Sequence, residues 1–199
     1  MSCKYFFAFI LVLFVVACEP GNKKTPVAKA PEIIPGNYEQ ATDVGFSKSQ
    51  DTVFYHGKLF SGYAFYLFPN RDTAFVMGYL HGLQEGITQK WYPNKQLMEV
   101  RRYVAGRKEG IHQGWWPNGK PKFYYELSND AYIGLVKEWF SNGTLARVFH
   151  YKEGQEDGSE KMWWDDGTIR ANYVIINGKK FGLSGQKLCT NNNLKQYLK

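Results

Sequence analysis

Cysteine is scarce in this sequence, with three among 199 residues. Cys3 and Cys18 flank an apolar N-terminal stretch, and Cys189 is the third. If that stretch is removed and Cys18 is modified, as argued below, Cys189 has no partner for an internal disulfide. We therefore expect packing alone to stabilise the folded part, with Cys189 as a small buried hydrophobic residue.

Catalytic and metal-binding motifs are also lacking. The sequence has no HExxH, no CxxC, no P-loop, no dinucleotide-binding glycine motif and no GxSxG elbow. The histidines have no ligand spacing, so they are predicted to be strand or turn residues; they are His56, His81, His112 and His150. The pattern predicts a protein without a metal, a cofactor or a catalytic residue.

The acidic residues give no clearer sign of an active site. Asp165-Asp166-Gly167 suggests a cation site at first, but its position in the repeat described below favours a turn. Glu109, Glu138 and Glu160 are interpreted as solvent-facing strand or loop residues. A pair of carboxylates that hydrolyses cell-wall glycans stays a remote alternative.

The single long apolar run, Tyr5 to Val16, is too short to span a bilayer, which needs about 20 residues. It ends in Val15-Val16-Ala17-Cys18, which resembles the bacterial lipobox, although that pattern prefers leucine first and alanine or serine second. An ordinary secretory signal is the alternative. We predict a signal peptide over residues 1–17, lipidation of Cys18, and a bacterial protein anchored to a membrane of the cell envelope.

Residues 18–44 are predicted to be a flexible tether. Proline, lysine, glycine and alanine dominate this stretch, and it has no period. Three lysines next to the anchor are either attracted to anionic headgroups or simply solvated; they are Lys23, Lys24 and Lys29. Removal of Lys4 with the signal lowers the formal net charge from +7 to +6. So small an excess argues against a nucleic-acid partner.

Glycine recurs every 24 residues from Gly62 to Gly182. Three more columns keep this spacing, and such self-similarity indicates tandem repeats. One column holds Trp91, Trp115, Trp139 and Trp163. The next holds Phe68, Tyr92, Trp116, Phe140 and Trp164. The third holds Asn70, Asn94, Asn118, Asn142 and Asp166. We divide residues 62–182 into five units, each beginning at its glycine.

Each unit is predicted to be a β-hairpin. In unit three, Ile111–Trp116 reads as a strand, and Pro117-Asn118-Gly119 reads as a type I turn closed by a bulge. Phe123–Leu127 then returns as the second strand. Arg71 and Lys95 replace the turn glycine in units one and two. Because a left-handed conformation costs a non-glycine residue about 1 kcal/mol, those turns are expected to be looser or of another type.

The predicted fold class is therefore all-β: an elongated single-layer antiparallel sheet of tandem 24-residue hairpins, with about ten strands in series. One hairpin is marginal in water, so neighbouring units must stabilise each other. Residues 45–61 are predicted to form an N-terminal capping hairpin with a turn at His56-Gly57. Residues 183–199 are predicted to supply a last strand and a polar tail.

These residues resemble a known repeat. Gly86, the segment Trp91-Tyr92-Pro93-Asn94, Tyr103, Gly106 and Gly110 are similar to the MORN-repeat variant, and the resemblance covers about residues 55–189. It implies a sheet of stacked hairpins. Many bacterial proteins with such repeats are labelled as YwqK-type antitoxins, and classical MORN arrays are linked to membrane-lipid contact and scaffolding. The resemblance thus implies a binding role.

The aromatic columns are the candidate binding surface. Cross-strand and inter-repeat stacking is the structural alternative. A contact strip for another molecule is the functional one. The candidate residues are Trp91, Trp115, Trp139, Trp163, Tyr92, Trp116, Phe140 and Trp164. We predict a monomeric, non-enzymatic envelope protein whose repeat sheet binds a protein or a surface polymer. The alternative is an envelope immunity protein that neutralises a toxin by binding it.

Overall fold

The computed structural model describes residues 32–184. Strands joined by turns make up this part of the chain, which confirms the all-β prediction. The strands are β1 (Tyr38–Gln40), β2 (Phe46–Ser49), β3 (Thr52–Tyr55), β4 (Lys58–Leu59), β5 (Gly62–Leu67), β6 (Thr73–Leu80), β7 (Leu83–Gln84), β8 (Gly86–Trp91), β9 (Leu97–Val104), β10 (Arg107–Lys108), β11 (Gly110–Trp115), β12 (Pro121–Ser128), β13 (Ala131–Trp139), β14 (Leu145–Lys152), β15 (Gln155–Glu156), β16 (Gly158–Trp163), β17 (Ile169–Ile176) and β18 (Lys179–Leu183).

Fifteen of these strands form one sheet. Its main order is β1-β5-β6-β8-β9-β11-β12-β13-β14-β16-β17-β18, and the two-residue strands β7, β10 and β15 pair at its side. Each unit contributes one long hairpin, and each hairpin has a register shift one step before its turn, between Gly114 and Trp115 in unit three. The repeat therefore sets the place of the predicted bulge.

The turn at the tip of each hairpin has the same backbone whether or not it contains glycine. The Gly119 N–H donates to the carbonyl of Trp116 at 2.8 Å, and the Arg71 N–H donates to the carbonyl of Phe68 at the same distance. Gly119 has a φ of 79°, and Arg71 and Lys95 each have 66°. The expectation of looser turns in units one and two is wrong, because the flanking strands hold both residues in the left-handed region.

A second, two-residue turn follows each hairpin. Both of its residues have positive φ, as type I′ turns require; Ala105 has 48° and Gly106 has 82°. The exception in the glycine column, Asp130, keeps the same geometry with a φ of 69° because aspartate tolerates this region. The short strands β7, β10 and β15 follow three of these turns, and the sequence pattern did not predict them.

The N-terminal edge departs from the predicted antiparallel sheet. Strand β1 runs parallel to β5, with Tyr38 opposite Tyr63 and their rings stacked at 4.9 Å between centroids. The Tyr63 N–H also donates to the carbonyl of Asn37 at 2.9 Å. The predicted tether over residues 18–44 therefore overlaps a part of the chain that is paired with unit one.

The predicted capping hairpin over residues 45–61 is a three-stranded antiparallel sheet, β2-β3-β4. Its turn at His56-Gly57 is where the sequence placed it, and Gln50, with a φ of 52°, marks a second turn. Phe60 joins this sheet to unit one, since its ring lies 5.8 Å from that of Tyr79 and its carbonyl accepts the Gly82 N–H at 2.7 Å.

The last described strand begins earlier than predicted. Strand β18 covers Lys179–Leu183, whereas the sequence placed a final strand within residues 183–199. It continues the antiparallel sheet beside β17, with Tyr173 opposite Gly182. Residues 185–199, including Cys189, lie outside the described part of the chain.

One face of the repeat sheet is buried. Its most buried column lies two residues after each unit glycine, with exposures of 5, 2, 0, 0 and 0%; its members are Ala64, Thr88, His112, Val136 and Glu160. In units four and five, Val136 belongs to a core with Phe149, Ala171, Tyr173 and Ile175. Because side chains alternate along a strand, Trp139, three residues beyond Val136, lies on the opposite face.

Exchanging the turn residues between units tests the strain at position 71. Arg71→Gly is expected to raise the free energy of unfolding by up to about 1 kcal/mol, since glycine relieves the left-handed penalty but loses more freedom on folding. Gly119→Arg is expected to lower it by about 1 kcal/mol. Urea unfolding of both variants measures the effect, and shifts of the same sign would contradict the shared geometry.

Candidate binding surface

The first aromatic column lies at strand ends. Trp91, Trp115, Trp139 and Trp163 are the last residues of β8, β11, β13 and β16. All four side chains are partly exposed. Each stands next to the hairpin turn of its own unit and has the same place in the register. The structure therefore brings the predicted column together as one line on one side of the sheet.

The second column lies in the turns, where its rings link neighbouring units. The hydroxyl of Tyr92 donates to the carbonyl of Trp115 at 3.1 Å, and Nε1 of Trp116 donates to the carbonyl of Trp139 at 3.0 Å. Phe140 is partly buried, and Trp164 is 49% exposed with the Arg170 guanidinium 4.8 Å above its ring. The sequence placed Trp116 at the end of a strand, but β11 ends at Trp115, so this column lies in the turns.

The asparagine column forms a ladder of side-chain hydrogen bonds. Within each turn, the asparagine Oδ1 accepts the N–H two residues later, as Asn118 does from Lys120 at 3.1 Å. In units two to four the asparagine Nδ2 donates to the next unit's turn, to the carbonyl 23 residues on, whereas Asn70 Nδ2 donates to Asp72 within its own turn at 2.8 Å. The three links are Asn94 to Pro117 at 2.9 Å, Asn118 to Ser141 at 2.8 Å and Asn142 to Asp165 at 2.8 Å.

Asp166 occupies the last position of this column and keeps only the first of the two roles. Its Oδ1 accepts both the N–H of Thr168 at 2.8 Å and the Thr168 hydroxyl at 2.6 Å. These hydrogen bonds hold the pKa of Asp166 below its usual value. Asp165-Asp166-Gly167 is therefore a turn, as predicted, and Asp166 has no amide to donate onward.

Two matched substitutions separate the roles of this column. Asn142→Asp keeps the acceptor within the turn but removes the donor to Asp165, so we expect a loss of about 1 kcal/mol in the free energy of unfolding. Asp166→Asn is expected to change it by less than about 0.5 kcal/mol. Urea unfolding compares the two variants, and an equal cost would show that the ladder does not stabilise the repeats.

A cleft of about 510 Å³ lies between the tryptophans of units four and five. We call it the tryptophan cleft. Val148 lies in its floor, opposite Lys137 of β13 on one side and Lys161 of β16 on the other. The lining consists of Lys137, Trp139, Leu145, Val148, His150, Ser159, Lys161 and Trp163. The lining residues include three basic side chains and no carboxylate.

The corresponding place in the first two units is smaller and has a different charge. A cleft of about 340 Å³ there is lined by Val76, Trp91, Thr73, Asp72 and Lys95. Lys95 Nζ is paired with Asp72 at 3.0 Å, so its charge is balanced. The tryptophan column is thus regular, but what lies between its members changes along the array.

Two acidic residues on the buried face, Glu99 and Glu138, are held in ion pairs. Glu99 is 7% exposed, and its two carboxylate oxygens contact Lys90 at 2.8 Å and Arg101 at 2.7 Å. Although burial opposes ionisation, these two partners keep the pKa of Glu99 below its usual value. Glu138 binds Arg147 at 2.7 Å and the hydroxyl of Tyr125 at 2.6 Å. Glu138 is therefore half-buried and paired, so the prediction that it faces solvent is wrong.

Two titratable residues lie in the most buried column, at equivalent positions. His112 Nε2 contacts the Arg102 carbonyl at 2.8 Å, and both oxygens of Glu160 accept the His150 N–H at 3.1 Å. Each side chain hydrogen-bonds to a backbone group of the residue ten positions earlier, where the backbone pairing between neighbouring units is interrupted. The prediction that Glu160 faces solvent is wrong. Burial raises the pKa of Glu160 to about 7 and lowers that of His112.

The raised pKa of Glu160 predicts a pH dependence of stability. A carboxyl whose folded pKa exceeds its unfolded value stabilises the fold fully below the unfolded pKa, and this contribution is lost as pH rises toward 7. The shift from 4.5 to about 7 corresponds to about 3 kcal/mol. Glu160→Gln keeps an acceptor for the His150 N–H. The free energy of unfolding of this variant is therefore expected to depend less on pH and to be higher at pH 8 than that of the unmodified protein.

Urea midpoints between pH 4.5 and 8 measure this effect. Glu153→Gln, at an exposed turn residue, is the matched control and is expected to retain the slope of the unmodified protein. A Glu160→Gln slope equal to that of the control would contradict the assignment.

The remaining findings concern metal ligands, membrane-spanning helices and the predicted anchor. Across residues 32–184, no three histidine, cysteine, aspartate or glutamate side chains are grouped to hold a metal ion. The same stretch has no helix that is long and apolar enough to cross a membrane. Cys18 and the signal segment lie outside the described residues, so their predicted lipidation stays a prediction.

The comparison with known families finds one match. The family model described as MORN repeat variant matches residues 84–105 and residues 132–153. These segments contain the long hairpins of units two and four, including Trp91 and Trp139. No curated protein matches the chain.

Proposed function

Because this chain is built from MORN repeats of the variant type, we propose that it is a non-enzymatic binding protein of the bacterial envelope, held there by a lipid on Cys18. Repeats of this class generally serve as binding or scaffold modules. In this proposal the repeat sheet presents its tryptophan side to a protein or a surface polymer, and the chain acts as a monomer.

The line of partly exposed tryptophans carries the proposal. Consecutive members are two strands apart, or about 10 Å, so they offer an evenly spaced row of rings. Indole combines a large apolar area with one polar N–H, which suits it to contact surfaces. The asparagine ladder and the second aromatic column already hold neighbouring units together. The first column is therefore the conspicuous aromatic feature left for another molecule.

The state of the carboxylates supports a non-enzymatic role. A glycan hydrolase needs two carboxyl groups that reach the substrate from opposite sides of one bond. In the described region, Glu99 and Glu138 are held by cationic partners, and Glu160 is fully buried against a backbone N–H. Turnover of cell-wall fragments that is abolished by one carboxylate substitution would overturn this part of the proposal.

The anchor has its own test. Cys18→Ser removes the thiol that would carry the lipid, so the variant is expected to move from the membrane pellet to the soluble fraction, because two or more acyl chains give stable anchoring. Ultracentrifugation of lysates, with detection of the protein in both fractions, measures the change. Cys189→Ser is the matched control and is expected to stay in the pellet. A Cys18→Ser protein that still sediments would contradict lipid anchoring.

The partner is tested by capture from detergent-solubilised envelopes, together with binding to purified peptidoglycan. A scaffold or polymer-binding role predicts retention of an envelope protein or of the wall polymer. Recovery of a toxin encoded nearby would instead support an immunity protein. A chain whose four column tryptophans are replaced by alanine, yet which stays folded and captures the same partner equally well, would contradict the proposed surface.

A further inference from the structure

We propose that the tryptophan cleft binds an acidic polysaccharide, with sugar rings stacked on Trp139 and Trp163 and carboxylates paired with Lys137 and Lys161. This inference rests on the proposed binding function and names the chemistry of its ligand. It concerns one place in the array, between units four and five.

The walls of the cleft suit a chain of sugar rings. Trp139 and Trp163 end strands β13 and β16, which are separated by β14 alone, so the indoles stand about 10 Å apart. A disaccharide in an extended polymer has about this length. The C–H groups on the apolar face of a pyranose are attracted to the negative face of an aromatic ring. Leu145 and Val148 supply an apolar floor between the two indoles.

The charge of the cleft selects an anionic polymer. Lys137 and Lys161 flank Val148 on the same face, and neither forms an ion pair with a described residue. His150 contacts the carbonyl of Ser159 through Nδ1 at 2.7 Å, which leaves Nε2 as a further polar group in the lining. These two ammonium groups lie beside apolar walls. The cleft therefore suits a ligand in which carboxylates alternate with apolar surfaces.

This combination occurs once along the described units. The column three residues after each unit glycine runs Phe65, Gln89, Gln113, Lys137 and Lys161, so two lysines face each other only across Val148. The position of His150 is held one unit earlier by Glu126, whose carboxylate would repel an anion. The valine position of that unit is held by Tyr124, a bulkier residue opposite Gln113 and Lys137.

The pairing of rings with charges favours a polysaccharide over an acidic peptide or a lipid surface. An acidic peptide supplies carboxylates but no regular series of flat apolar faces. A membrane supplies charge over a plane, whereas these lysines lie beside a cleft with projecting rings. A polymer of uronic acids repeats both a pyranose ring and a carboxylate along its length.

Isothermal titration of the full-length protein in detergent with a galacturonic acid oligosaccharide tests the inference. The methyl-esterified oligosaccharide keeps the rings and removes the charge, and polyglutamate keeps the charge and removes the rings. We expect the esterified oligosaccharide and polyglutamate each to bind about tenfold or more weakly than the acidic oligosaccharide, and a tenfold difference corresponds to about 1.4 kcal/mol. Added salt is also expected to weaken it, because exposed charges are screened.

Matched variants locate the site. Lys137→Gln with Lys161→Gln is expected to reduce the affinity at least about tenfold, whereas Lys48→Gln with Lys58→Gln makes the same change in net charge at exposed positions of the capping sheet and is expected to have no effect. Trp163→Ala is expected to abolish detectable binding. Phe181→Ala, which removes an exposed ring outside the aromatic columns, is expected to leave it unchanged. Thermal unfolding confirms that each variant is folded.

Equal binding of the acidic and esterified oligosaccharides, or equal binding of polyglutamate, would overturn the inference. So would a lysine-pair variant that binds as well as its control. If the acidic oligosaccharide fails to bind while the tryptophan surface still captures another envelope partner, the inference fails and the proposed function stands. If the fourfold tryptophan variant keeps every partner, both fail.

Discussion

The constant length of the unit is the constraint on which the other features depend. Side chains alternate across a strand, so one inserted residue would move a whole column to the other face of the sheet. Because each unit keeps 24 residues, the column that contains Val136 stays buried and the column that contains Trp139 stays on the opposite side. A change of residue type is tolerated more easily than a change of unit length, because Arg71 adopts the same left-handed backbone conformation as the glycine that it replaces.

The periodic features were predictable from the sequence because they arise from local chemistry repeated in each unit. Pro117-Asn118-Gly119 specifies its turn by itself, and the alternation before it specifies a strand. Strand β1 was not predictable, because its segment has no period and the strand forms by pairing with Tyr63, which is far along the chain. The left-handed Lys95 was missed because strand pairing outweighs a local preference of about 1 kcal/mol.

The candidate surface was predictable only in part. The tryptophan column is visible in the sequence, but the cleft depends on the residues between the tryptophans, and these vary from unit to unit. A column-by-column comparison would have shown lysine replacing glutamine three residues after the glycine in units four and five. The same comparison would have placed Glu160 in the column of Ala64 and Val136, and so in the buried face.

The asparagine ladder gives the array a direction. Asn94, Asn118 and Asn142 each pass a hydrogen bond to the turn of the following unit, whereas Asp166 accepts within its own turn without passing one on. Duplication of unit three or four would insert a copy that both receives and donates this bond. Duplication of unit five would place two aspartate turns in succession with no donor between them. Copy number can therefore vary more easily inside the array than after unit five, so gene duplications that lengthen this protein should fall among its middle units.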